Sequence, residues 1–205
     1  KIGANLELTG DVSVYGIPER NAFEQAVAEI NAAGGIDGKL VELIAYDNAY
    51  DQAKAVQNTE KLIEDGVVAI LGSATSGMTL AIAPLAKDSG LVVFTPSGTN
   101  SAVTMDGTVV NPWAFRACFI DPFQGLVLAN FASNDLAAKN AVVMVNSGSE
   151  YSKELARIFT EQFTANGGTV LETASYADAD TDYKASLTSI ASKEFLALRN
   201  FSRFR

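Results

Sequence analysis

Apolar residues in this chain fall into short continuous runs separated by longer segments with helical spacing. The clearest case spans residues 66–100, where apolar runs at 67–71 and 91–94 flank a segment that predicts a helix over 77–88. Runs this rich in Val, Ile and Leu are typical of strands that helices cover on both faces. The pattern therefore predicts an α/β fold, with a parallel sheet flanked by helices.

The same rhythm of strand and helix continues along the chain. Further strands are predicted at residues 1–8, 40–46, 113–117, 141–145 and 169–176. Helices are predicted at residues 17–33, 121–136, 151–166 and 181–191, and one more begins after Asp51, a suitable N-cap. Residues 101–112 lack either pattern and are interpreted as a surface loop. Apolar residues alternate along the first strand, and they form a stripe along the first helix.

Two turns of small residues follow the two central strands. Their sequences are GSATSG at residues 72–77 and TPSGT at residues 95–99. Loops at the carboxyl ends of parallel strands share one edge of the sheet, which is where ligands bind. The first turn also opens a helix, whose unpaired N–H groups and dipole favour an anion. With the hydroxyls of Thr75, Ser76 and Thr99 in reach, the turns predict a carboxylate or phosphate site.

Each of these residues also has a purely structural interpretation. Ser76 can be an N-cap and Thr99 a turn residue, but two such turns on consecutive strands favour a site. The first turn is not the G-x-G-x-x-G of dinucleotide sites, and it lacks the Gly-Lys-Ser/Thr ending of a phosphate-binding P-loop.

Composition excludes several classes of function. The 205 residues contain no histidine, which removes Ser-His-Asp and Cys-His catalysis and most zinc sites. The edge loops offer, besides hydroxyls, the carboxylates of Asp11, Asp47 and Glu150, so an enzyme is not expected. Cys118 is the single cysteine and is interpreted as a small buried residue. A net charge of −9 argues against nucleic acid and anionic membranes as partners, and no apolar run is long enough for membrane insertion.

An acidic loop precedes the last predicted helix. Asp178, Asp180 and Asp182 are spaced two apart, as calcium ligands are in an EF-hand, but the glycine and the distal glutamate of that motif are absent. A solvated helix start explains this loop better, because acidic residues are favourable at a helix N-terminus. We therefore expect no metal site.

Several segments together resemble a known family. They are GVVAILGSATSG, APLAKDSG and LVVFTPSGTN in the centre of the chain, and LTGDVSVYG, INAAGGIDG, YDNAYDQAKA and DPFQG around it. In order and spacing, residues 1–191 are similar to ABC-transporter solute-binding proteins typified by the leucine/isoleucine/valine-binding protein. The resemblance implies a two-lobed type I periplasmic-binding-protein architecture, with residues 1–117 as lobe one and residues 118–205 as a partial lobe two.

The resemblance also implies a function. Such a protein captures a small amino acid, branched-chain or similar, between its lobes and delivers it to the membrane permease of an ABC importer. It acts outside the cytoplasm, in the periplasm or lipid-anchored at the cell surface, and needs no cofactor. The alternative with the same fold is the ligand-sensing ectodomain of a signalling receptor.

Roles for individual residues follow from the same resemblance. Ser76 and Thr99 are expected to donate to the ligand's carboxylate, and the Ser97 carbonyl to accept from its ammonium group. Tyr15 and Thr75 are expected to line the side-chain pocket.

Two further residues belong to this set of expectations. Tyr151 is expected to meet the ligand from lobe two, although Tyr15 and Tyr151 follow strand ends, where an aromatic residue often only covers the core. Asp121 is interpreted as a helix cap near the crossover between lobes rather than as a ligand contact.

The chain also departs from the family pattern. The disulfide partners of the type protein align with Tyr50 and Thr75, and the acidic residue that pairs with the ammonium group has no counterpart before Arg205. Family members are longer, so lobe two and the returning part of lobe one are expected to be incomplete, and the chain alone is expected to bind weakly or not at all. The missing initiator Met fits an exported product, and the atypical residues 192–205 suggest a truncation or an altered reading frame.

Overall fold

The computed structural model describes residues 1–193, and the chain forms two units within it. The first is Lys1–Phe119, and the second begins at Ile120. This division lies close to the lobe boundary expected at residue 117. Of the segment 192–205 interpreted as atypical, residues from 194 onward lie outside the described part.

The first unit is built on a five-stranded sheet whose strands pair in parallel. In chain order its strands are β1 (Ile2–Leu6), β2 (Leu43–Asp47), β3 (Ala69–Gly72), β4 (Val92–Thr95) and, after a small hairpin, β7 (Ala114–Arg116). The hairpin of β5 (Met105–Asp106) and β6 (Val109–Val110) occupies the segment expected to be a loop. The connecting helices are α1 (Ser13–Ala32), α2 (Gln52–Glu64) and α3 (Ser76–Asp88).

The order of strands across this sheet is β2-β1-β3-β4-β7. The chain therefore moves one way from β1 to β2 and the other way from β3 onward, so the direction reverses between β1 and β3. Loops diverge at such a switch point, and ligands of open α/β sheets bind there. The turn that follows β3 lies at this point.

Helices α2 and α3 pack together and bury one apolar cluster with the sheet. Asp51 caps α2 as predicted, since its side chain accepts a hydrogen bond from the Lys54 amide at 2.8 Å. Burying this cluster is the main stabilising contribution to the first unit. Its buried members are Ala55, Leu62, Val67, Ile70, Met78, Ile82, Ala86, Leu91 and Val93.

Helix α1 is less well covered than its sequence indicated. It begins at Ser13, before the predicted start at residue 17, and of the apolar stripe Ala22, Ala26 and Ile30 are exposed. The physical reason is that α1 packs mainly against β1 and β2, which half-buries only part of the stripe. Strand β1 is more deeply buried than its alternating pattern predicted. Asn5, which lies on the more polar face of the strand, is fully buried.

Among the described residues, the second unit has fewer strands and a smaller buried cluster than the first. Its strands β8 (Asn140–Asn146) and β9 (Thr169–Tyr176) pair in parallel, and its helices are α4 (Asp121–Asn130), α5 (Glu150–Ala165) and α6 (Lys184–Ala191). The buried cluster contains Ala129, Ala132 and Phe163. Helices α4 and α5 approach closely at Gly125, where an added Cβ would lie 2.7 Å from Ile158 Cγ2.

Three local expectations in the second unit need correction. Ile120 occupies the N-cap position of α4 and Asp121 is its first helical residue, so Asp121 is not the cap. The helix expected to reach residue 136 changes to a π-helical turn at Phe131–Asp135. The acidic residues precede α6, and the Asp182 carboxylate accepts from the Lys184 amide at 2.8 Å, so the helix starts later than expected.

The structure also bears on membrane-spanning helices and metal sites, for residues 1–193 only. Within residues 1–193, no helix combines the length and the apolar character needed to cross a bilayer. No group of acidic or cysteine side chains in that range is arranged to hold a metal ion. Cys118 is half-buried rather than fully buried.

Candidate functional site

The turns after β3 and β4 meet at the carboxyl edge of the first unit's sheet. The backbone amide of Asn100 donates to Ser76 Oγ at 3.1 Å, and Ser97 Oγ lies 2.6 Å from the carbonyl oxygen of Ala74. The two polar turns recognised in the sequence are therefore in direct contact.

A buried polar network supports these turns from below. Asn48 Nδ2 lies 3.2 Å from Asn5 Oδ1, and Ser73 Oγ donates to the Asn5 carbonyl at 2.8 Å. Thr95 Oγ1 donates to the Ser73 carbonyl at 2.6 Å and accepts from the Gly98 amide at 2.8 Å. Because a polar group that is buried without a partner is costly, a network satisfied in this way fixes the positions of its members.

Glu7 holds the first turn through three hydrogen bonds. Its side chain is fully buried, with Oε2 accepting from the Ala74 amide at 2.9 Å and Oε1 from the Thr75 amide at 3.0 Å. The Thr75 hydroxyl also donates to Oε1, at 2.7 Å. A carboxylate accepts several donors at once and forms strong hydrogen bonds. Sequence reasoning missed Glu7, although an acidic residue directly after a buried strand is a usable signal.

Arg116 holds the second turn in a similar way. Its Nη1 donates to the carbonyl oxygens of Gly98 at 2.8 Å and Asn100 at 2.9 Å, and its Nη2 to Thr104 Oγ1 at 2.7 Å. The guanidinium group suits this role because its donors have a fixed planar geometry. Sequence reasoning also missed Arg116.

Ser76 lies inside the first turn of α3 and does not cap it. The N-cap position belongs to Thr75, whose backbone is extended and whose side chain makes no capping bond. The interpretation of Ser76 as an N-cap is therefore wrong. Ser76 accepts from Asn100 and keeps its own hydroxyl hydrogen for another partner. Ser76 is 3% exposed and Thr99 is 9% exposed, so neighbouring residues cover most of both side chains.

Ser97 connects both turns to α1. Besides its contact with Ala74, Ser97 Oγ lies 2.6 Å from Glu19 Oε1. Burial raises the pKa of the Glu19 carboxyl from 4.5 to about 7, with the hydrogen bond to Ser97 opposing and the charge of Glu7 reinforcing this shift. The expected role of Ser97 concerned its carbonyl, whereas its side chain is a structural link.

The two tyrosines of the predicted site belong to different units. Tyr15 lies in the first turn of α1 and is 60% exposed, so it does not cover the core. The next residue, Gly16, lets α1 start against the end of β1, since an added Cβ would lie 2.1 Å from the Glu7 carbonyl oxygen. Tyr151 lies in the first turn of α5 in the second unit, where Gln124 Nε2 is 3.0 Å from its hydroxyl.

Asp47, one of the edge carboxylates, is engaged locally. It accepts hydrogen bonds from the amides of Leu8 at 2.9 Å and Ala49 at 2.8 Å, and from Thr9 Oγ1 at 2.7 Å. Partial burial acts to raise the pKa of Asp47, but these three hydrogen bonds and the charge of Lys54 outweigh it, and the pKa lies below its ordinary value. Asp47 therefore joins the ends of β1 and β2 as an ionised acceptor.

Comparisons with known proteins bear on the family and the fold of this chain. Residues 1–197 match the family described as periplasmic binding protein. The Leu/Ile/Val-binding protein BraC3 of Rhizobium johnstonii is 32% identical over 193 residues, which are 94% of this chain and 52% of that protein. The crystal structure of the branched-chain amino acid transporter substrate binding protein LivJ from Streptococcus pneumoniae, in complex with isoleucine, has a TM-score of 0.84 and 36% identity, covering 95% of this chain and 54% of that one.

A more distant structure shares the fold alone. The solute binding protein of an ABC transporter from R. palustris, in complex with benzoate, has a TM-score of 0.80 at 23% identity, covering 93% of this chain and 52% of that one. The chain spans about half the length of the curated relatives it matches. The predicted fold class, parallel sheets flanked by helices, is confirmed. Because the family match runs through both units, the chain belongs to the periplasmic binding protein family.

Proposed function

We propose that this chain is the ligand-binding part of an extracytoplasmic solute-binding protein, which captures a small amino acid for the membrane permease of an ABC importer. The observation that carries the proposal is the direct contact between two hydroxyl-rich turns at the switch point of the sheet. The similarity to LivJ, which was solved with isoleucine, supports a branched-chain or similar ligand.

The first unit offers donors suited to a carboxylate. The Ser76 hydroxyl has a hydrogen available, and the first N–H groups of α3 have no acceptor within the helix. Thr99 lies on the neighbouring turn and is proposed as a second donor. Hydrogen bonds to a charged group are the strong ones, which favours recognition of the ligand's carboxylate here.

The remaining predicted contacts have different roles in this proposal. The Ser97 carbonyl is proposed to accept from the ligand's ammonium group. Thr75 donates its hydroxyl hydrogen to Glu7, so it is proposed as a wall of the side-chain pocket rather than as a donor. Tyr15, which is exposed beside this edge, is proposed to complete that wall, and Tyr151 is proposed as a contact from the second unit.

The chemistry of the edge favours binding over catalysis. Glu7 and Asp47 are occupied by hydrogen bonds within the first unit, and the sequence contains no histidine to act as a base. A ligand-sensing receptor ectodomain would use the same contacts. The gene's surroundings would distinguish the two. Neighbouring genes for permease and ATPase subunits would favour transport, and a downstream transmembrane and signalling segment would favour the receptor.

The proposal is tested by NMR titration of the chain with isoleucine. Because the chain spans about half the length of its relatives, we expect weak, millimolar binding, with shifts of the Ser76, Gly77 and Thr99 amides. Ser76→Ala should weaken binding roughly tenfold or more, as expected when a bond to a charged group is lost. Ser89→Ala, an exposed serine just after the same helix, is the matched control. Shifts with glucose but not isoleucine, or none at these amides, would contradict the proposal.

A further inference from the structure

The Ser97 hydroxyl faces two oxygen atoms but has one hydrogen to donate. Ser97 Oγ is 2.6 Å from the Ala74 carbonyl oxygen and 2.6 Å from Glu19 Oε1. The carbonyl can only accept, so it needs the Ser97 hydrogen. The contact with Glu19 then needs a second hydrogen, and a carboxyl group supplies one only when it is protonated.

The surroundings of Glu19 favour the protonated form. Its Oε2 is buried and has no hydrogen-bond partner among residues 1–193. The neighbouring charge is Glu7, directly after β1, which repels a second negative charge, and the turns at 72–77 and 95–100 contain no ionisable residue. On α1 itself, Arg20 directs Nε to Glu24 Oε1 at 3.6 Å. Burial without an adjacent cation stabilises a neutral carboxyl group over an ionised one.

We propose that Glu19 is a positioning residue that carries a proton and donates it in a hydrogen bond to Ser97 Oγ, so that the Ser97 hydroxyl is free to donate to Ala74. The resulting chain of hydrogen bonds joins α1, the turn after β3 and the turn after β4. The effect on ligand binding rests on the proposed function, because it requires these turns to hold the ligand. The hydrogen bonds that join Glu19, Ser97 and Ala74 do not depend on the proposed function.

Loss of the Glu19 proton reverses the direction of these hydrogen bonds. With Glu19 ionised, the Ser97 hydroxyl turns to the carboxylate, and Ala74 loses its donor. The pKa of Glu19, raised by burial to about 7, places this change near neutral pH. The folded chain holds the proton more tightly than the unfolded chain, where the pKa is 4.5. This contribution to stability is therefore fully present below pH 4.5 and is lost as pH rises to about 7.

A carboxyl-carbon NMR titration of the chain, labelled with ¹³C-glutamate, tests the inference without any ligand. We expect one glutamate side chain to titrate near pH 7, clearly above the ordinary range of about 4. The absence of histidine keeps that pH range uncrowded. This titration should disappear in Glu19→Gln and persist in Glu60→Gln, which removes an exposed charge from α2. If every glutamate titrates in the ordinary range, or the high titration survives Glu19→Gln, the inference is wrong.

Two further variants separate positioning from simple packing. The amide of Glu19→Gln can donate at the same place without a charge, so this variant should lose the fall in melting temperature that Glu19 causes in the parent chain between pH 4.5 and about 7. If that variant does not fold, Ser97→Ala takes its place. Removing the hydroxyl takes away both the acceptor of the Glu19 proton and the donor to Ala74. The amide shifts of the turns at 72–77 and 95–100 should then no longer follow the Glu19 titration, and shifts that follow it as in the parent chain overturn the inference.

Isoleucine distinguishes this inference from the proposed function. If both hold, the shifts of the turn amides on adding isoleucine should be larger at pH 6 than at pH 8 in the parent chain, and independent of pH in Glu19→Gln, as expected for a carboxyl group that titrates at about 7. If isoleucine produces no shift while the carboxyl titration is seen, the proposed function fails and the role of Glu19 in joining the turns stands. If isoleucine binds and no glutamate titrates near neutral pH, the proposed function stands and the role of Glu19 in joining the turns is wrong.

Discussion

The two units differ in where their polar groups lie, since every buried polar side chain among the described residues except Asp121 belongs to the first unit. In the first, Asn5, Glu7 and Ser73 are fully buried and hydrogen-bonded at the ends of the strands. In the second, the side-chain contacts of Arg157 with Glu161 and of Asn166 with Asn130 lie exposed on the surface. Buried polar groups cannot change partners without a large cost, whereas exposed groups exchange with water. The first unit therefore has the rigidity that a ligand site needs.

The apolar cores differ in the same direction. Among the described residues, the buried cluster of the first unit draws on α2, α3 and the sheet, while that of the second contains Ala129, Ala132 and Phe163. With so few residues in this cluster, the second unit depends strongly on its one large member, Phe163.

Phe163→Ala is expected to have the largest effect. Phe163 is fully buried and stacks on Phe159 at 5.4 Å between ring centroids, so its loss should lower the unfolding free energy of the second unit by about 3–5 kcal/mol. Native-state hydrogen exchange should show faster exchange at Val145, a buried residue of β8 in the same unit, while Ile70, in the cluster of the first unit, keeps its protection. Phe123→Ala, 61% exposed in the same unit, is the matched control. Equal loss of protection at Ile70 would contradict the separation of the two cores.

Glu7→Gln is expected to come next in size. Glutamine keeps the shape but replaces one acceptor oxygen with a donor, which would face a backbone N–H of the first turn. We expect a loss of about 1.5–3 kcal/mol, the usual contribution of a hydrogen bond to a charged group. Urea unfolding followed by the fluorescence of Trp113, the single tryptophan, measures it. A loss no larger than that of the exposed control Glu60→Gln would mean that Glu7 is not what holds the turn.

Glu7 also shows how far the sequence could lead. Periodicity predicted the parallel sheet, most of the helices and the two turns, because each depends on local patterns. It could not reveal which side chains hold those turns. Glu7 and Thr75 are 68 positions apart, and Glu19 and Ser97 are 78 apart, so these contacts exist only after strands from distant segments pair.

The errors had a related cause. Sequence spacing cannot show how much of a helix face its neighbours cover, and this explains the exposed stripe on α1. Nor can it distinguish a cap from the first helical residue, which explains Ser76 and Asp121. The six proposed ligand residues stay predictions, although four of them, Thr75, Ser76, Ser97 and Thr99, lie on turns that contact each other.

Gly16→Ala tests how closely α1 must approach β1. The added methyl group would lie 2.1 Å from the Glu7 carbonyl oxygen, a contact that requires the helix to move. Overpacking costs about 1–3 kcal/mol, and replacing glycine in a helix recovers up to about 1 kcal/mol, so we expect a net loss of about 1–2 kcal/mol. Gly77→Ala, in the first turn of α3 with its nearest neighbour at 3.9 Å, is the control and should not destabilise. Equal effects in urea unfolding would show that the contact is not tight.

Arg157→Ala should have the smallest effect, and it tests the comparison of the two units directly. Arg157 Nη1 is 2.9 Å from Glu161 Oε1, but the arginine side chain is 54% exposed, so we expect a loss below about 0.5 kcal/mol that decreases further in high salt. Arg116→Ala in the first unit is the matched variant. It removes donors from the carbonyl oxygens of Gly98 and Asn100, and should cost several times more with little dependence on salt. Similar losses for the two arginines in urea unfolding would mean that part-buried and exposed polar contacts stabilise this chain equally. The rigidity attributed to the first unit would then lose its physical basis.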